Sequence, residues 1–479
     1  MLLRKPNEDW FVHHINNDDF EARHTDKAGL YALTPHLAAD VFKPLLINKY
    51  RYEPTEKAWY EFTGTCWKSR QSLFNLLKHN LGDMKSQCQA SPKKAGASVY
   101  GWQQIFNGRF IPAVQAIMEK DIDFHFELED FDTNNLILNT PDGTWNLLEY
   151  DDYPNSPTDF CRHITSIAPQ DDEDGKNCPY YLRHLDFMCQ GDMNIRNYLE
   201  EISGYICTGK TSLQQFYWFY GLQNNGKSTL AAIWMHILGS YGWTAAQNQF
   251  AHRNQEPHSE QDLRLAGKRY VLVEELKGKW NAEKIKGCLS GNRIQAAEKG
   301  GKTTSFQLKC KLLFTSNNKP DVDPNDGGLA RRMHLSDFPK QIPEEMHLDN
   351  FEETYLRPEA PFILNRMLKN AHKVLLTGKI IKPISVELAT KNYFQSRDLI
   401  QQFMEDCIVI DATGLELAKD LLNTYNAWAL DNGNDTISMA QFGKLLDKIG
   451  NYPKSHVGTG RGRSGLKIKD IWRTKAKYI

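Results

Sequence analysis

Apolar positions along the chain fall into two periods. Phe216-Tyr-Trp-Phe-Tyr220, Arg269-Tyr-Val-Leu-Val-Glu-Glu275 and Lys311-Leu-Leu-Phe-Thr-Ser-Asn317 are short and almost continuously apolar, the signature of strands buried on both faces. After the first of these, Leu230, Ile233, Trp234, Ile237 and Leu238 recur at helical spacing. The same spacing predicts helices over 71–81, 180–189, 193–207, 361–376, 393–407, 415–430 and 438–449. Near the start, Tyr50-Arg-Tyr52 and Trp59-Tyr-Glu-Phe62 read as paired strands around the turn-rich Glu53-Pro-Thr-Glu-Lys57. Residues 134–147 read as a hairpin turning at Pro141-Asp-Gly143. Residues 150–178, rich in Asp, Pro and Asn, read as a linker.

The 479 residues suffice for about three domains. With 41% hydrophobic and 24% charged residues, the composition is that of an ordinary soluble globular protein. No apolar run approaches the ~20 residues of a membrane span, and the opening Met1-Leu-Leu-Arg-Lys-Pro is too short in its apolar part for a signal peptide. Nine scattered cysteines without a C-x-x-C pair speak for reduced thiols and against a zinc ribbon or disulfide framework. A cytoplasmic protein is therefore expected. The net charge of −1 is uninformative, yet from Lys444 onwards ten Lys and Arg face only Asp447 and Asp470.

The chemistry sits between the first buried strand and its helix. Gly221-Leu-Gln-Asn-Asn-Gly-Lys-Ser228, followed by Thr229, fits G-x-x-x-x-G-K-[ST] in a strand–loop–helix setting. Such glycines let successive N–H groups turn towards phosphates, and the helix N-terminus adds partial positive charge. Lys227 is expected to reach the β and γ phosphates of ATP, and the Ser228 hydroxyl to ligate Mg²⁺. The strand ending in Glu274-Glu275 is expected beside the loop's own strand, Glu274 serving the metal and Glu275 the attacking water. Asn317 ends the third strand and is suited to hold that water or to sense the γ phosphate. Gly327-Gly-Leu-Ala-Arg331-Arg332 supplies two arginines, either a finger for a neighbour's γ phosphate or surface ion-pair partners. Asp121 and Asp123 lack a third acidic partner, which favours a solvated face over a two-metal site.

Two further features concern nucleic acid. Arg293–Glu298 and Thr303–Leu308 flank Lys299-Gly-Gly-Lys302, a hairpin whose cationic tip suits a phosphate backbone, although on local grounds an ordinary surface turn is the favoured reading. The tail carries Arg461, Arg463 and Lys467 in a glycine-rich loop and strand after three helices, the parts of a winged helix.

Together the Gln223-to-Thr229 loop, the strand Gly267–Glu275, Lys286-Gly-Cys-Leu-Ser-Gly291, Phe314-Thr-Ser-Asn-Asn318 and Leu329-Ala-Arg-Arg332 resemble the superfamily III helicases. More closely, the chain is similar to the helicase portion of the phage and plasmid primase-helicase family, to which the poxvirus primase-helicase is related. Thr140–Leu147 leading to Cys178-Pro-Tyr-Tyr resembles that family's N-terminal flank. The resemblance implies an α/β P-loop NTPase core of AAA+-like type, an α+β N-terminal region and a C-terminal winged-helix domain. Expected boundaries are 1–150 for the N-terminal region, 151–210 for a linker and helical collar, 211–345 for the ATPase core, 346–390 for a helical connection and 391–479 for the winged helix. It further implies a hexamer with ATP and Mg²⁺ at subunit interfaces, Gly221 and Gln223 to Thr229 around the nucleotide, and Arg331 or Arg332 acting from a neighbour. Lys299 and Lys302 would line a channel for single-stranded DNA, while duplex or fork DNA meets Arg461, Arg463 and Lys467. A separate primase or polymerase is a further expected partner, and a bacterial host cytoplasm the expected setting. The function so implied is a replicative DNA helicase; the alternative is a DNA-binding initiator that uses ATP as an assembly switch.

Overall fold

The computed structural model describes residues 34–90, 108–172, 175–246, 249–251, 259–275, 280–297, 303–317, 326–396, 399–449, 452–457 and 460–475. Helix α1 (Pro35–Leu46) opens the described chain, followed by an antiparallel meander of β1 (Tyr50–Glu53), β2 (Ala58–Phe62) and β3 (Trp67–Arg70). Helices α2 (Phe74–Ala90) and α3 (Phe110–Met118) pack with α1 over Trp59, Leu73, Leu77 and Val114. β3 was not expected, because Trp67-Lys-Ser-Arg70 carries a single apolar side chain and gains strand geometry from its pairing with β2. Asp121 and Asp123 both pair with Lys43, at 2.7 and 2.5 Å, a surface ion cluster.

A second small sheet joins β4 (Ile137–Asn139), β5 (Thr144–Asn146) and β6 (Asp151–Tyr153). β6 and the residues after it correct the linker reading. The Thr165 N–H donates to Asn139 O at 3.0 Å, Ser166 N–H to Ile237 O at 3.1 Å and Gln170 N–H to Pro361 O at 3.1 Å. Its polar composition reflects backbone groups committed to neighbours, so the segment is a strap across the body and not a free tether.

The main body follows as α4 (Pro179–Cys189), α5 (Met193–Cys207), β7 (Phe216–Tyr220), α6 (Lys227–Leu238), β8 (Gly242–Ala245), α7 (Ser259–Leu263), β9 (Tyr270–Glu274), α8 (Ala282–Leu289), β10 (Arg293–Ala297), β11 (Thr303–Gln307), β12 (Lys311–Ser316), α9 (Gly327–Arg332) and β13 (Met333–Asp337). Five strands form an all-parallel sheet in the order β13-β7-β12-β9-β8. Alternate residues serve opposite faces: Tyr217, Phe219 and Leu313 join the core beneath α5 and α6, while Phe216, Trp218, Leu312 and Phe314 join the other. The acidic strand β9 does not lie beside β7, as expected from the sequence; β12 runs between them. Strand adjacency follows the crossovers, which a linear pattern does not encode. β10 and β11 form a separate antiparallel ribbon, paired up to Ala297 and Thr303.

Helix α10 (Arg357–Thr377) packs back on α5, and α11 (Ile384–Ser396) lies along β13. Then come α12 (Leu399–Cys407), β14 (Ile408–Leu417), α13 (Ala418–Asp431), α14 (Met439–Ile449), β15 (Lys454–Val457), β16 (Gly460–Ile468) and α15 (Asp470–Lys475). Helices α12, α13 and α14 and the antiparallel sheet β14-β16-β15 enclose their own core around Phe403, Tyr425, Trp428, Phe442 and Leu466. The helix expected over 393–407 is two helices, and the start of the one expected at 415 belongs to β14, whose β-branched opening Ile408-Val-Ile410 favours a strand. No described helix is long and apolar enough to cross a membrane.

Candidate nucleotide site

At the C-terminal end of β7 the chain turns through Gly221 at φ 140°, where a Cβ would lie 2.2 Å from Phe338 O. Gly226, at φ 89°, caps α6, and a Cβ there would lie 2.6 Å from the His184 ring. The loop is thus held between two walls that leave room only for glycine. Asn225 Nδ2 donates to Phe338 O at 2.7 Å, Ile342 N–H to Asn224 O at 2.7 Å, and Gln341 Nε2 to Gln223 O at 3.0 Å. On the opposite wall, His184 Nε2–H donates to Gly226 O at 3.1 Å. Burial pushes that imidazole down to about 4, so it stays neutral. His184 and the 338–342 segment are supports that the sequence reading missed; a lone histidine on an apolar helix face gives no signal of where its ring points.

Lys227, first residue of α6 and only 4% exposed, donates from Nζ to Gly221 O at 3.0 Å, Leu222 O at 2.8 Å, Asn225 Oδ1 at 2.9 Å and Asn317 Oδ1 at 3.4 Å. Burial lowers its pKa, while the carboxylates of Glu275 and Asp337 act to raise it. All four acceptors are neutral oxygens, which an anion can displace from the cation. Asp337, the last residue of β13, was not singled out from the sequence.

Glu274 ends β9 opposite Thr315 of β12 and is exposed. Glu275 follows at φ 48°, its N–H donating to Thr315 O at 2.9 Å and its carboxylate accepting from Asn317 N–H at 3.1 Å. Both acids therefore meet the loop across the end of β12. The indole of Trp218 steadies that end, donating to Ser316 Oγ at 2.7 Å. The result is an open cleft of about 290 Å³. The loop residues Gln223, Asn224, Asn225, Gly226, Lys227, Ser228 and Thr229 form one side, and Glu274, Glu275, Thr315, Ser316 and Asn317 the other. Its donors and acceptors are hard: a lysine, a hydroxyl, amides and carboxylates, a set that suits phosphate and a small divalent cation.

The arginines lie elsewhere. Arg331 and Arg332 lead into the N-terminal end of β13, where Met333 pairs with Phe216, a strand's length from the loop. Arg331 is exposed. Arg332 is tied internally, Nη1 to Gly328 O and Nη2 to Gln214 Oε1, both at 2.9 Å. Lys299 and Lys302 fall outside the described residues.

On β16, Arg461 and Lys467 are exposed, but Arg463 is not part of that surface. It is 7% exposed, donates to Tyr452 O at 2.9 Å and pairs with Asp447 at 2.6 Å. Simple alternation places Arg463 and Lys467 on one face; Gly465 at φ 85° and a register shift against β14 invert it between them.

Residues 39–190 match the family described as D5 N terminal like, and residues 219–332 match a family of unknown function, DUF5906. Among solved structures, the A form apo structure of the NrS-1 C-terminal region is similar at 12% identity, covering 90% of this chain and 98% of that one with a TM-score of 0.51. The apo structure of the NrS-1 C-terminal region (305–718) is similar at 12% identity over 90% and 99% of the two chains, TM-score 0.50. The mixed α/β architecture with its parallel sheet is therefore a fold shared with the NrS-1 C-terminal region.

Proposed function

We propose that the protein is an ATP-dependent DNA helicase that works in the replication of a phage, plasmid or mobile element. The observation that carries this reading is the gathering of Lys227, Ser228, Glu275 and Asn317 in one open cleft at the C-terminal end of a parallel sheet, where ligands of such sheets bind. The D5 N terminal like match over 39–190 supports a replication setting.

In this mechanism Lys227 exchanges its loop carbonyls for β and γ phosphate oxygens and offsets the charge that develops during transfer. Ser228 and Glu274 would hold Mg²⁺, which supplies positive charge against the phosphates when bound. Glu275, fixed through the Asn317 N–H, orients the attacking water and accepts its proton, and the Asn317 side chain senses the γ phosphate. Because Arg331 is exposed a strand's length from its own loop, it acts on a neighbouring protomer's cleft, in a hexameric ring. Lys299 and Lys302 contact single-stranded DNA in the ring's channel, and the C-terminal unit, read as a winged helix, meets duplex through Arg461 and Lys467. Arg332 and Arg463 are left with structural roles.

Strand displacement on forked DNA tests this. Wild type should unwind with ATP and Mg²⁺, and Lys227→Ala should not. ATP hydrolysis without displacement would instead favour the initiator with an ATP switch.

A further inference from the structure

A separate cavity, of about 150 Å³, lies where the root of the β10–β11 ribbon meets the N-terminal region. Arg293 and Phe306 line it from the ribbon, Lys309 from the turn into β12, Glu129 and Asp132 from the segment before β4, and Arg162 from the strap. Three cations thus face one small space with two carboxylates, and their partners differ in kind. Asp132 is buried and engaged: its Oδ1 accepts the Arg162 N–H at 3.0 Å, and its Oδ2 meets Arg162 Nε at 3.5 Å. The Arg162 guanidinium lies 5.1 Å from the Phe131 ring, which holds it at the wall. Lys309, 9% exposed, donates from Nζ to the carbonyl oxygens of Asp132 and Thr133. Burial draws its pKa down to about 8 and the Arg269 charge acts in the same direction, so an added anion is favoured beside it. Arg293 pairs with Glu129 at the mouth, where the two side chains are 51% and 41% exposed. A pair so open to water is held weakly, and another anion can displace the glutamate.

The ribbon extends this site outward. Its register sets Arg293 opposite Gln307, Gln295 opposite Ser305 and Ala297 opposite Thr303, all on one face. That face carries a guanidinium, amides and hydroxyls and no carboxylate, over about 13 Å at ~3.3 Å per residue. A nucleic-acid backbone laid along it meets no like charge.

We propose that this cavity seats one phosphodiester of single-stranded DNA against Arg162, Arg293 and Lys309, and that Glu129 of the N-terminal region competes with it for Arg293. The inference rests on the reading of the ribbon as a DNA-binding element and adds a contact at its root, apart from the tip lysines. The volume lies well below the ~300 Å³ from which pockets for whole small molecules run, so it admits one oxyanion and no nucleoside. Guanidinium groups match the paired oxygens of a phosphate, and the lysine adds a point charge. A strand is favoured over free phosphate because the polar face of the ribbon leads into the cavity. DNA held there displaces Glu129 and so releases the ribbon from the N-terminal region.

Fluorescence anisotropy of a labelled oligothymidine titrated with the full chain, over a range of salt, tests it. Arg293→Gln should weaken binding about fivefold and lower the salt slope by about 0.7, the value of one phosphate contact on a single strand. Glu129→Gln should act in the opposite sense and tighten binding about threefold, because it releases Arg293. Both side chains are exposed, and thermal melts check that the two variants stay folded. Were the pair only a brace for the ribbon, the two variants would shift binding the same way. That result, or no shift in either, overturns the inference and leaves the ribbon tip a DNA contact. Inorganic phosphate is the second arm: calorimetric binding by wild type that Arg293→Gln abolishes, with equal DNA affinity in both, would give the cavity to a free anion and overturn the strand. If wild type binds no oligothymidine, the DNA reading of the ribbon falls and this inference with it.

Discussion

Where the strands of the parallel sheet begin, Lys311 Nζ donates to Thr208 O and to Lys309 O, and lies 5.1 Å from the Tyr205 ring. Where the strands finish, Lys227 Nζ also donates to neutral oxygens, yet those belong to a loop beside a cleft of about 290 Å³. Arg269 repeats the first pattern, donating to Cys207 O at 2.5 Å with Tyr241 4.4 Å away. Both ends bury cations, and both lower a lysine pKa mainly by burial. The difference lies in what surrounds them. At the first end the donors are spent on fixed carbonyls in closed packing, so they tie the C-terminal end of α5 to the sheet. At the second, Glu275, Asn317 and Ser228 share an open space with the cation, so an anion can replace its carbonyl partners. Burial alone does not mark a functional lysine; an accessible volume with complementary groups does.

The sharpest way to break this contrast is to remove each lysine. Lys227→Ala should lower the rate of ATP hydrolysis by at least about 100-fold, the scale for losing one positioned donor to developing charge, with the urea midpoint little changed. Lys311→Met should do the reverse, costing about 1–3 kcal/mol of stability through unpaired carbonyls while nucleotide affinity is retained. Equal behaviour of the two variants in both assays would abolish the distinction.

The two arginines sharpen it next. Adding Arg331→Ala subunits to wild type should depress hydrolysis out of proportion to their fraction, as a residue acting across a subunit seam requires. Arg332→Ala should mainly lower stability, by about 1–2 kcal/mol, because Gly328 O and Gln214 lose their partner.

A pH experiment separates the ends by charge. Burial pushes the Lys309 ammonium from 10.5 down to about 8, so between those values the unfolded chain holds a proton that the folded chain has released. Stability should therefore rise as pH climbs from about 8 towards 10.5, the full penalty applying below 8. Lys309→Met should flatten part of that rise in thermal melts; Lys268, also held down to about 8 by burial, contributes to the same rise. The smallest effect is expected on β16: Arg461→Ala should reduce the salt slope of DNA binding by about one with the fold intact, whereas Arg463→Ala should loosen the unit that Asp447 and Tyr452 O anchor.

Much of the cleft was legible because it is local. A strand, a glycine loop, Lys227 and a helix follow one another without a break, and Glu274 and Glu275 close a visibly apolar run. What depends on distant segments was not legible. The insertion of β12 between β7 and β9 is a matter of crossovers, and the 150–178 strap looks like a tether until its backbone bonds are seen. His184 and Asp337 reach the site from α4 and β13, 43 residues before and 110 after Lys227 in the chain, with no shared motif. On β16 the register shift at Gly465, which a reading of the tail as a basic loop and strand does not contain, turns Arg463 inward.

The most direct test of the open end of the sheet is phosphate release from ATP by the purified chain, with and without Mg²⁺ and single-stranded DNA, for wild type, Lys227→Ala and Glu275→Gln. The result expected is Mg²⁺-dependent turnover by wild type, raised by DNA and lost in both variants, with Glu275→Gln still binding ATP. Turnover that persists in both variants would place the chemistry elsewhere and contradict the assignment of the cleft.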